Sequence, residues 1–232
     1  GVDLATVEET LRYACPQIAA MAWIQWHTGA RPGEVCCLRP KDVTWSHSAK
    51  VWQYLPHQHK NQHRSNQVRR IAIGTRAYEV LKPWLENRAA DAYCFSPREA
   101  VAMQNAEKRK RRKTKVQPSQ VSRAKLRPVR TAGDAYTSNS FRHAIKRACR
   151  DAAVAKLVAK GVKVATAQAR VLKDGYPSWH PNQLRHSYGT RVRQQFGIEA
   201  SQHALGHEDI DSTQVYAERH FAEAASIANE IG

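Results

Sequence analysis

Apolar positions near the start of the chain recur at helical spacing. An apolar stripe of this period predicts a helix over residues 3–14. The largely apolar residues that follow predict a second, buried helix over about 16–26, because Pro16 suits a first helical turn. The pair Thr28-Gly29 ends that helix, and a third short helix is predicted over about 32–38.

The middle of the chain changes to a pattern typical of strands. Residues 50–55 and 68–73 are rich in aliphatic and aromatic side chains and predict two strands, with a weaker third strand over 43–45. The polar stretch between the first two is too long for a tight hairpin turn. Helical spacing returns over 75–86. We therefore expect a small antiparallel sheet inside a helical chain.

The second half of the chain is predicted to be helical. The predicted helices cover 138–158, 166–172, 182–196, 199–205, 212–218 and a last segment from about 220. The fold class is therefore mainly α with a small antiparallel β-sheet, an α+β architecture. The length of 232 residues suits one domain, predicted over 1–232 with a C-terminal tail over about 219–232.

Charge narrows the class of partner. The chain has 37 Lys and Arg against 20 Asp and Glu, a net charge of +17, and a sequence pI near 10.0. A surface field of that sign attracts polyanions, which favours nucleic acid as the partner. The 42% of hydrophobic residues excludes wholesale disorder.

The positive charge is concentrated in one segment without acidic residues, 108–130, which carries eleven cations. A solvated loop is one interpretation. The density of a single sign favours an arm that follows a phosphate backbone. The cations are Lys108, Arg109, Lys110, Arg111, Arg112, Lys113, Lys115, Arg123, Lys125, Arg127 and Arg130. The tail over 199–230 is acidic, with seven Asp or Glu and one Arg, so the charge is asymmetric.

Cysteine usage and hydropathy bear on the compartment. The five cysteines are odd in number and lack CxxC spacing, which indicates reduced thiols acting as small core residues. No apolar run is long enough for a transmembrane helix, and the first residues lack a signal peptide. We expect a cytoplasmic, nucleoid-associated protein without a membrane partner, and a chain start typical of the interior of a longer protein.

Four short motifs carry the candidate chemistry. They are TGARPGEV at 28–35, His59-Lys60 after a predicted strand, PNQLRHS at 181–187 and LGHEDIDSTQVY at 205–216. In this order and spacing the chain resembles the catalytic domain of the tyrosine recombinases, the phage integrase family, from about residue 6 to about residue 223. The resemblance implies metal-independent breaking and rejoining of duplex DNA through a covalent 3′-phosphotyrosine intermediate, with no cofactor.

Residue chemistry fits these roles. Tyr216 is the candidate nucleophile, although a phenol with a pKa of about 10 needs a positive environment or a base. Arg31 and Arg185 are candidate phosphate clamps, because guanidinium forks match the oxygens of a phosphate and stabilise transition-state charge. Glu34 is placed to orient Arg31 or the adjacent turn.

Three further side chains complete the candidate site. Lys60 is the candidate general acid for the leaving 5′ oxygen, with Arg64 and Arg69 as rivals. His207 resembles the family residue that donates a hydrogen bond to the scissile phosphate. His186 directly follows the second arginine and is given a supporting role.

The chain departs from the family pattern at Asn182. The family usually has histidine three residues before the second arginine, and an amide cannot take up a proton near neutral pH. Three interpretations stay open: a tolerated natural variant that lowers the rate, a substitution made to trap a complex, and a DNA-binding relic that has lost its chemistry. We favour the first.

The resemblance also implies partners and assembly. Members of the family clamp duplex DNA between two domains, and the N-terminal core DNA-binding domain is expected to be absent from this chain. Four protomers assemble on two DNA sites, commonly through the C-terminal helix, and we expect a monomer without DNA. Against compact members, residues of about 93–135 form an insertion that is expected to order only on DNA.

Other functions account for parts of the same sequence. A non-catalytic DNA-binding protein explains Asn182, an RNA-binding protein explains only the charge, and a type IB topoisomerase would use the same residues. His57, His59 and His63 have possible zinc spacing but lie in a cationic segment without nearby Cys or acid, so we predict no metal. An element-borne integrase is expected, with the DNA site and the choice among integration, excision and resolution left open.

Overall fold

The computed structural model describes residues 1–57, 69–118, 131–206 and 225–231. Within them the helices are α1 (Leu4–Leu11), α2 (Pro16–Thr28), α3 (Pro32–Cys36), α4 (Thr75–Leu85), α5 (Pro97–Lys110), α6 (Ser138–Ala159), α7 (Val164–Asp174), α8 (Pro181–Phe196) and α9 (Ile198–Leu205). The strands are β1 (Val43–Ser46), β2 (Val51–Tyr54) and β3 (Ile71–Ile73), and a 3-10 turn at Pro40–Asp42 precedes β1. Residues 225–231 form a further helix, here called the C-terminal helix. The predicted class, mainly α with a small antiparallel sheet, is confirmed.

The sheet has the predicted antiparallel connectivity, in the order β1-β2-β3. Aromatic residues pack one face of the sheet against α4. Trp52 on the central strand contacts Trp45 on β1 edge to face, and it stacks on Tyr78 of α4 at a centroid distance of 4.5 Å. β3 is shorter than the strand predicted over 68–73. Arg69 and Arg70 precede it as extended chain, and Val68 lies outside the described residues.

Helix α2 is the centre of the core. Ile18, Met21 and Ile24 are almost fully buried, and the helix packs against α4 and α8. Its polar residue Gln17 is also buried and accepts a hydrogen bond from the backbone of Ser96 at 2.9 Å. The prediction of a buried second helix is therefore confirmed, and this helix fixes the position of α8 relative to the start of α3.

The segment around helix α5 differs from the sequence expectation. Cys94 and Phe95 are fully buried, and the Cys94 backbone N–H donates to the carbonyl of Leu38, so the segment predicted as an insertion from about 93 begins inside the core. A helix follows that we did not predict. Ser96 caps it and Pro97 occupies its first turn, which is a standard start signal. Residues 101–115 are exposed on every side.

The C-terminal helix packs on the domain of its own chain. Ala225 and Ala228 lie against the sheet, beside Ala72. Ile227 and Ile231 join a second cluster with residues of α8 and α9. The C-terminal helix is predicted to offer a neighbouring protomer an apolar face of Phe221, Ala224, Ala225, Ile227 and Ile231. Its described members Ala225, Ile227 and Ile231 are buried within the single chain. Phe221 and Ala224, and the helices predicted over 212–218 and from 220, lie outside the described residues.

The cysteines of the chain lie mostly in the core. The five cysteines all lie in the described ranges and form no disulfide with one another. Cys36, Cys94 and Cys149 are buried, which confirms these three as core thiols, whereas Cys15 and Cys37 are half-buried. Burial raises the pKa of Cys36 and of Cys94 to about 12, which keeps both thiols protonated. None of the helices in the described ranges is long and apolar enough to cross a bilayer.

Gly74 permits the close approach of the C-terminal helix. A Cβ atom at this position would lie within bonding distance of the Ala228 carbonyl oxygen. We expect Gly74→Ala to lower the free energy of unfolding by about 1–3 kcal/mol, the usual effect of overpacking, and to expose residues 225–231. Urea unfolding and hydrogen exchange of that helix measure both effects. The control is Gly133→Ala, where a Cβ meets only an ordinary contact at 3.6 Å; equal stability of the two variants would contradict this packing.

Candidate active site

Arg31 is placed by the start of helix α3. Gly29 ends α2 in the left-handed conformation (φ 64°), and an added Cβ there would overlap the ring of Tyr188, so only glycine fits. Arg31 follows as the N-cap, and Pro32 begins the helix. The Arg31 backbone N–H and guanidinium both donate to Glu34, at 2.7 and 3.0 Å. Glu34 therefore orients both the side chain and the turn.

Glu34 is a buried carboxylate with cationic neighbours. Its side chain is 2% exposed, and besides Arg31 it pairs with Arg69, whose Nε lies 3.4 Å from Oε1. Burial raises its pKa, but Arg69, the Arg31 backbone N–H, the Arg31 guanidinium and Arg185 lower it by more. The net pKa lies below the ordinary value, so the carboxylate is ionised at neutral pH.

Arg185 comes from a distant part of the chain, and its charge acts on the same carboxylate. It lies on α8 beside Leu184, which is fully buried. Its guanidinium donates to the carbonyl oxygens of Gly29 and Leu205, which joins the end of α2 to the end of α9. Burial, with the charges of Arg69 and Arg31, lowers the pKa of Arg185 to about 9. Burial and the neighbouring cations therefore make the charged form of Arg185 less favourable, but its pKa stays above neutral pH and the guanidinium stays charged.

Arg69 is the residue that sequence reasoning underestimated. We considered it only as a rival of Lys60, yet its side chain is 10% exposed and belongs to the cluster around Glu34. Here this cluster of Arg31, Glu34, Arg69 and Arg185 is called the arginine cluster. Three guanidiniums against one carboxylate leave two positive charges in excess, which makes the cluster a receptor for an anion such as a phosphate.

Asn182 and His186 lie one turn apart on the exposed face of α8. The Asn182 amide nitrogen and the His186 Nε2 atom are 3.1 Å apart. His186 is therefore a neighbour that can hold the Asn182 amide in place, and its supporting role stays a prediction. His180, two residues before Asn182, is the exposed N-cap of α8, where its backbone N–H donates to Gln183.

Several predicted site residues lie outside the described residues. They are Lys60, His207, Tyr216, Arg123, Lys125, Arg127 and Arg130, together with the possible zinc ligands His59 and His63. The arginine cluster lies beside two of the chain segments that lead to them. Arg69 follows the segment containing Lys60, and Gly206, which the Arg69 guanidinium touches, precedes His207.

The basic segment is partly a helix end. Lys108, Arg109 and Lys110 form the last turn of α5, where cations complement the helix dipole, and Arg111 pairs with Glu107 at 2.8 Å. Arg112, Lys113 and Lys115 follow as exposed chain. Seven of the eleven predicted cations are therefore described, and all seven are exposed.

The described part of the chain offers no group of three or more His, Cys, Asp or Glu able to hold a metal. His57, the one described member of the histidine series, faces Asp42 with its Nδ1 atom 3.2 Å from Oδ2. Asp42 in turn binds Arg39 at 2.9 Å. Within the described ranges, the His57 contact is therefore part of a structural ion-pair network near the sheet.

Comparison with known proteins gives one match. No curated protein and no solved structure matches this sequence. The sequence model of the phage integrase family matches residues 4–223, which is nearly the whole chain. This match, which includes the motifs that contain Arg31 and Arg185, shows that the chain belongs to the phage integrase family, the tyrosine recombinases.

Proposed function

We propose that this chain is the catalytic domain of a site-specific DNA recombinase or integrase, which cleaves and rejoins duplex DNA through a 3′-phosphotyrosine at Tyr216. The observation that carries the proposal is the arginine cluster. Arg31 and Arg185 are 154 residues apart in sequence, yet Arg31 binds the buried Glu34 carboxylate and the charge of Arg185 acts on the same group. Among the described residues, the three guanidiniums of the cluster outnumber this one carboxylate.

The arginine cluster suits phosphoryl transfer. A pentacoordinate transition state places more negative charge on the non-bridging oxygens than the ground-state diester does. Guanidiniums fixed in advance by Glu34 and by the carbonyls of Gly29 and Leu205 need little reorganisation to meet that charge. Burial and repulsion from neighbouring cations lower the pKa of Arg185 to about 9. The negative charge of a phosphate bound there would offset both effects.

The reaction steps need no metal and no hydrolytic water. The Tyr216 oxygen forms a bond to phosphorus and releases its proton to solvent, since Asn182 cannot take it up, and the bond from phosphorus to the 5′ oxygen breaks. Lys60 gives the leaving oxygen a proton, and His207 donates a hydrogen bond to the phosphate. Rejoining reverses these steps, with a 5′-hydroxyl attacking the phosphotyrosine. The bond energy is kept in the protein–DNA linkage, so no cofactor is needed.

Asn182 is proposed as a variant that slows this reaction. Its amide can donate a hydrogen bond to a phosphate or a phenol, but it cannot accept a proton at neutral pH. The contact with His186 orients the amide on the exposed face of α8. One acid–base group is worth about 10²–10⁴-fold in rate, so its replacement leaves a slow enzyme rather than an inert one.

The basic segment is proposed to extend contact along the DNA backbone. The exposed end of α5 presents Lys108 to Lys110 on a preformed helix, and the cations after it continue the positive track. Such contacts position the protein without reading bases. We propose double-stranded DNA as the partner and the nucleoid as the place of action.

Assembly on DNA is proposed to involve the C-terminal helix. Without DNA we propose a monomer in which Ala225, Ile227 and Ile231 cover the domain of the same chain. On DNA we propose a homotetramer in which this helix contacts a neighbouring protomer.

The second candidate function is a DNA-binding relative that has lost cleavage. The observation in its favour is Asn182, an exposed amide at the position where the family usually has a histidine. Covalent attachment to DNA separates the two functions, because only the recombinase forms it.

Tyr216→Phe tests the nucleophile. We expect the parent chain to form a covalent adduct with a pool of nicked random duplexes, because loss of a short 5′-hydroxyl strand prevents rejoining. Tyr216→Phe should remove that adduct completely. The measurement is the shifted protein–DNA band on a denaturing gel. Tyr13→Phe, at a 45% exposed tyrosine after α1, is the matched control and should keep the band; a band that survives Tyr216→Phe would contradict the assignment.

Asn182→His tests the variant position. We expect it to speed adduct formation by about 10²–10⁴-fold, because it restores a group able to exchange protons. Single-turnover rates on the nicked substrate measure the change. Thr190→His adds a histidine to an exposed site two turns further along α8 and should leave the rate unchanged. An Asn182→His rate equal to that of the parent chain would show that this position does not limit the reaction.

The triple variant Lys110→Gln, Arg112→Gln, Lys113→Gln tests the basic segment. Each lost phosphate contact lowers the slope of log affinity against log salt by about 0.9, so three lost contacts lower it by about 2.7. Fluorescence anisotropy with duplex DNA at several salt concentrations measures the slope. The control replaces the exposed Lys160, Lys163 and Lys173 of the α6–α7 hairpin with Gln. If both triples lowered the slope equally, the segment would have no special role.

A further inference from the structure

Arg69 occupies an unusual position for a charged side chain. It lies just before β3, in the chain that returns from the segment containing Lys60, and it is 10% exposed. Its Nε atom is 3.4 Å from the Glu34 carboxylate. Its Nη1 atom lies against Gly206, so close that an added Cβ at Gly206 would overlap it. Arg69 thus connects the start of the third strand with the turn that leads to His207.

The burial of this guanidinium is incompletely compensated. Among the described residues, the buried Nη2 atom of Arg69 has no hydrogen-bond partner, and the buried Nε atom meets Glu34 only as an ion pair at 3.4 Å, without a well-formed hydrogen bond. Burial lowers its pKa and Glu34 raises it, while the Arg31 charge lowers it further. A buried donor without a partner lowers the stability of the fold. Such a residue in the core of a site suggests that its position serves the chemistry.

We propose that Arg69 is a positioning residue for strand cleavage: it fixes Glu34, and through Glu34 the Arg31 clamp, and it holds the turn at Gly206, the residue that precedes His207 in the sequence. The proposal rests on the proposed function above. Arg69 acts through its neighbours, because its buried Nε and Nη2 atoms cannot meet a substrate in this arrangement.

The shape of arginine explains the residue type. Its planar fork can point Nε at Glu34 and Nη1 at Gly206 at the same time, whereas a lysine ammonium is a single point charge. Gly206 has a left-handed backbone (φ 60°) and no Cβ, which is what lets the guanidinium approach. A neutral residue at 69 would leave Glu34 free to rotate away from Arg31.

Rates and affinities of Arg69 variants test the proposal. Second-layer partners in metal sites are worth about 10–100-fold, and we expect Arg69→Gln to lower the single-turnover rate of adduct formation by a factor of that order, with DNA affinity unchanged. Arg69→Lys should recover part of the rate, because it keeps the charge beside Glu34. The matched control is Arg70→Gln at the exposed neighbour. A loss that appeared in DNA affinity alone would overturn the proposal.

A substrate with sulfur at the scissile 5′ position separates positioning from acid catalysis. A thiolate leaves without a proton, since the pKa of a thiol is about 8.5. We expect this substrate to rescue Lys60→Ala and not Arg69→Gln. Rescue of Arg69→Gln to the rate of the parent chain would make Arg69 the general acid and overturn the positioning role.

Failure of the proposed function and failure of this inference give different results. If the parent chain formed no adduct, the proposed cleavage would fail, and the Arg69 proposal would be tested by inorganic phosphate. We then expect phosphate to raise the melting temperature of the parent chain and of Arg70→Gln, and to do so less in Arg69→Gln. If Arg69→Gln does not fold, Arg69→Lys replaces it, with an intermediate shift expected. Equal shifts in all chains, or none in the parent chain, would overturn the inference.

Discussion

The Glu34 carboxylate is the interaction on which the site depends. In the part of the chain that the structure describes, it is the one carboxylate of the arginine cluster, and without it Arg31, Arg69 and Arg185 would repel one another in a buried space. The pKa of Glu34 in the fold lies below its ordinary value of 4.5. The ionised form therefore stabilises the fold above that ordinary value, and the contribution is lost as pH falls through the lowered one. The same carboxylate that lets the cations gather leaves part of their charge for a ligand.

The fold brings these charges together by packing rather than by local sequence. Helix α2 is buried over most of its surface, and its end at Gly29 both starts the turn to Arg31 and offers a carbonyl to Arg185. Helix α8 packs against α2 and α9 and holds Arg185 between them. The site is thus built at the junction of three helices and the third strand. A phosphate at this junction would complete the charge balance that the protein leaves open.

The sequence was sufficient to predict much of this arrangement. The period of apolar residues predicts most helices and the order of the sheet, and the motifs identify Arg31, Glu34 and Arg185. Arg69 was not recognised, because it resembles its neighbours Arg64 and Arg70 in chemistry. Burial of its side chain arises from packing with residues far along the chain. All three residues of β3 are buried, so no alternation marks the face that meets the site. Helix α5 was missed because its exposed surface has no apolar stripe.

The most direct test of this account is a crystal structure of Tyr216→Phe bound to the nicked duplex that the parent chain selects. We predict non-bridging oxygens of the scissile phosphate within about 2.7–3.2 Å of the Arg31 and Arg185 guanidiniums, with Arg69 still beside Glu34 and out of reach of the DNA. A scissile phosphate bound away from both arginines, or a Glu34 carboxylate turned away from Arg31, would contradict the central claim that this buried carboxylate prepares the site for phosphoryl transfer.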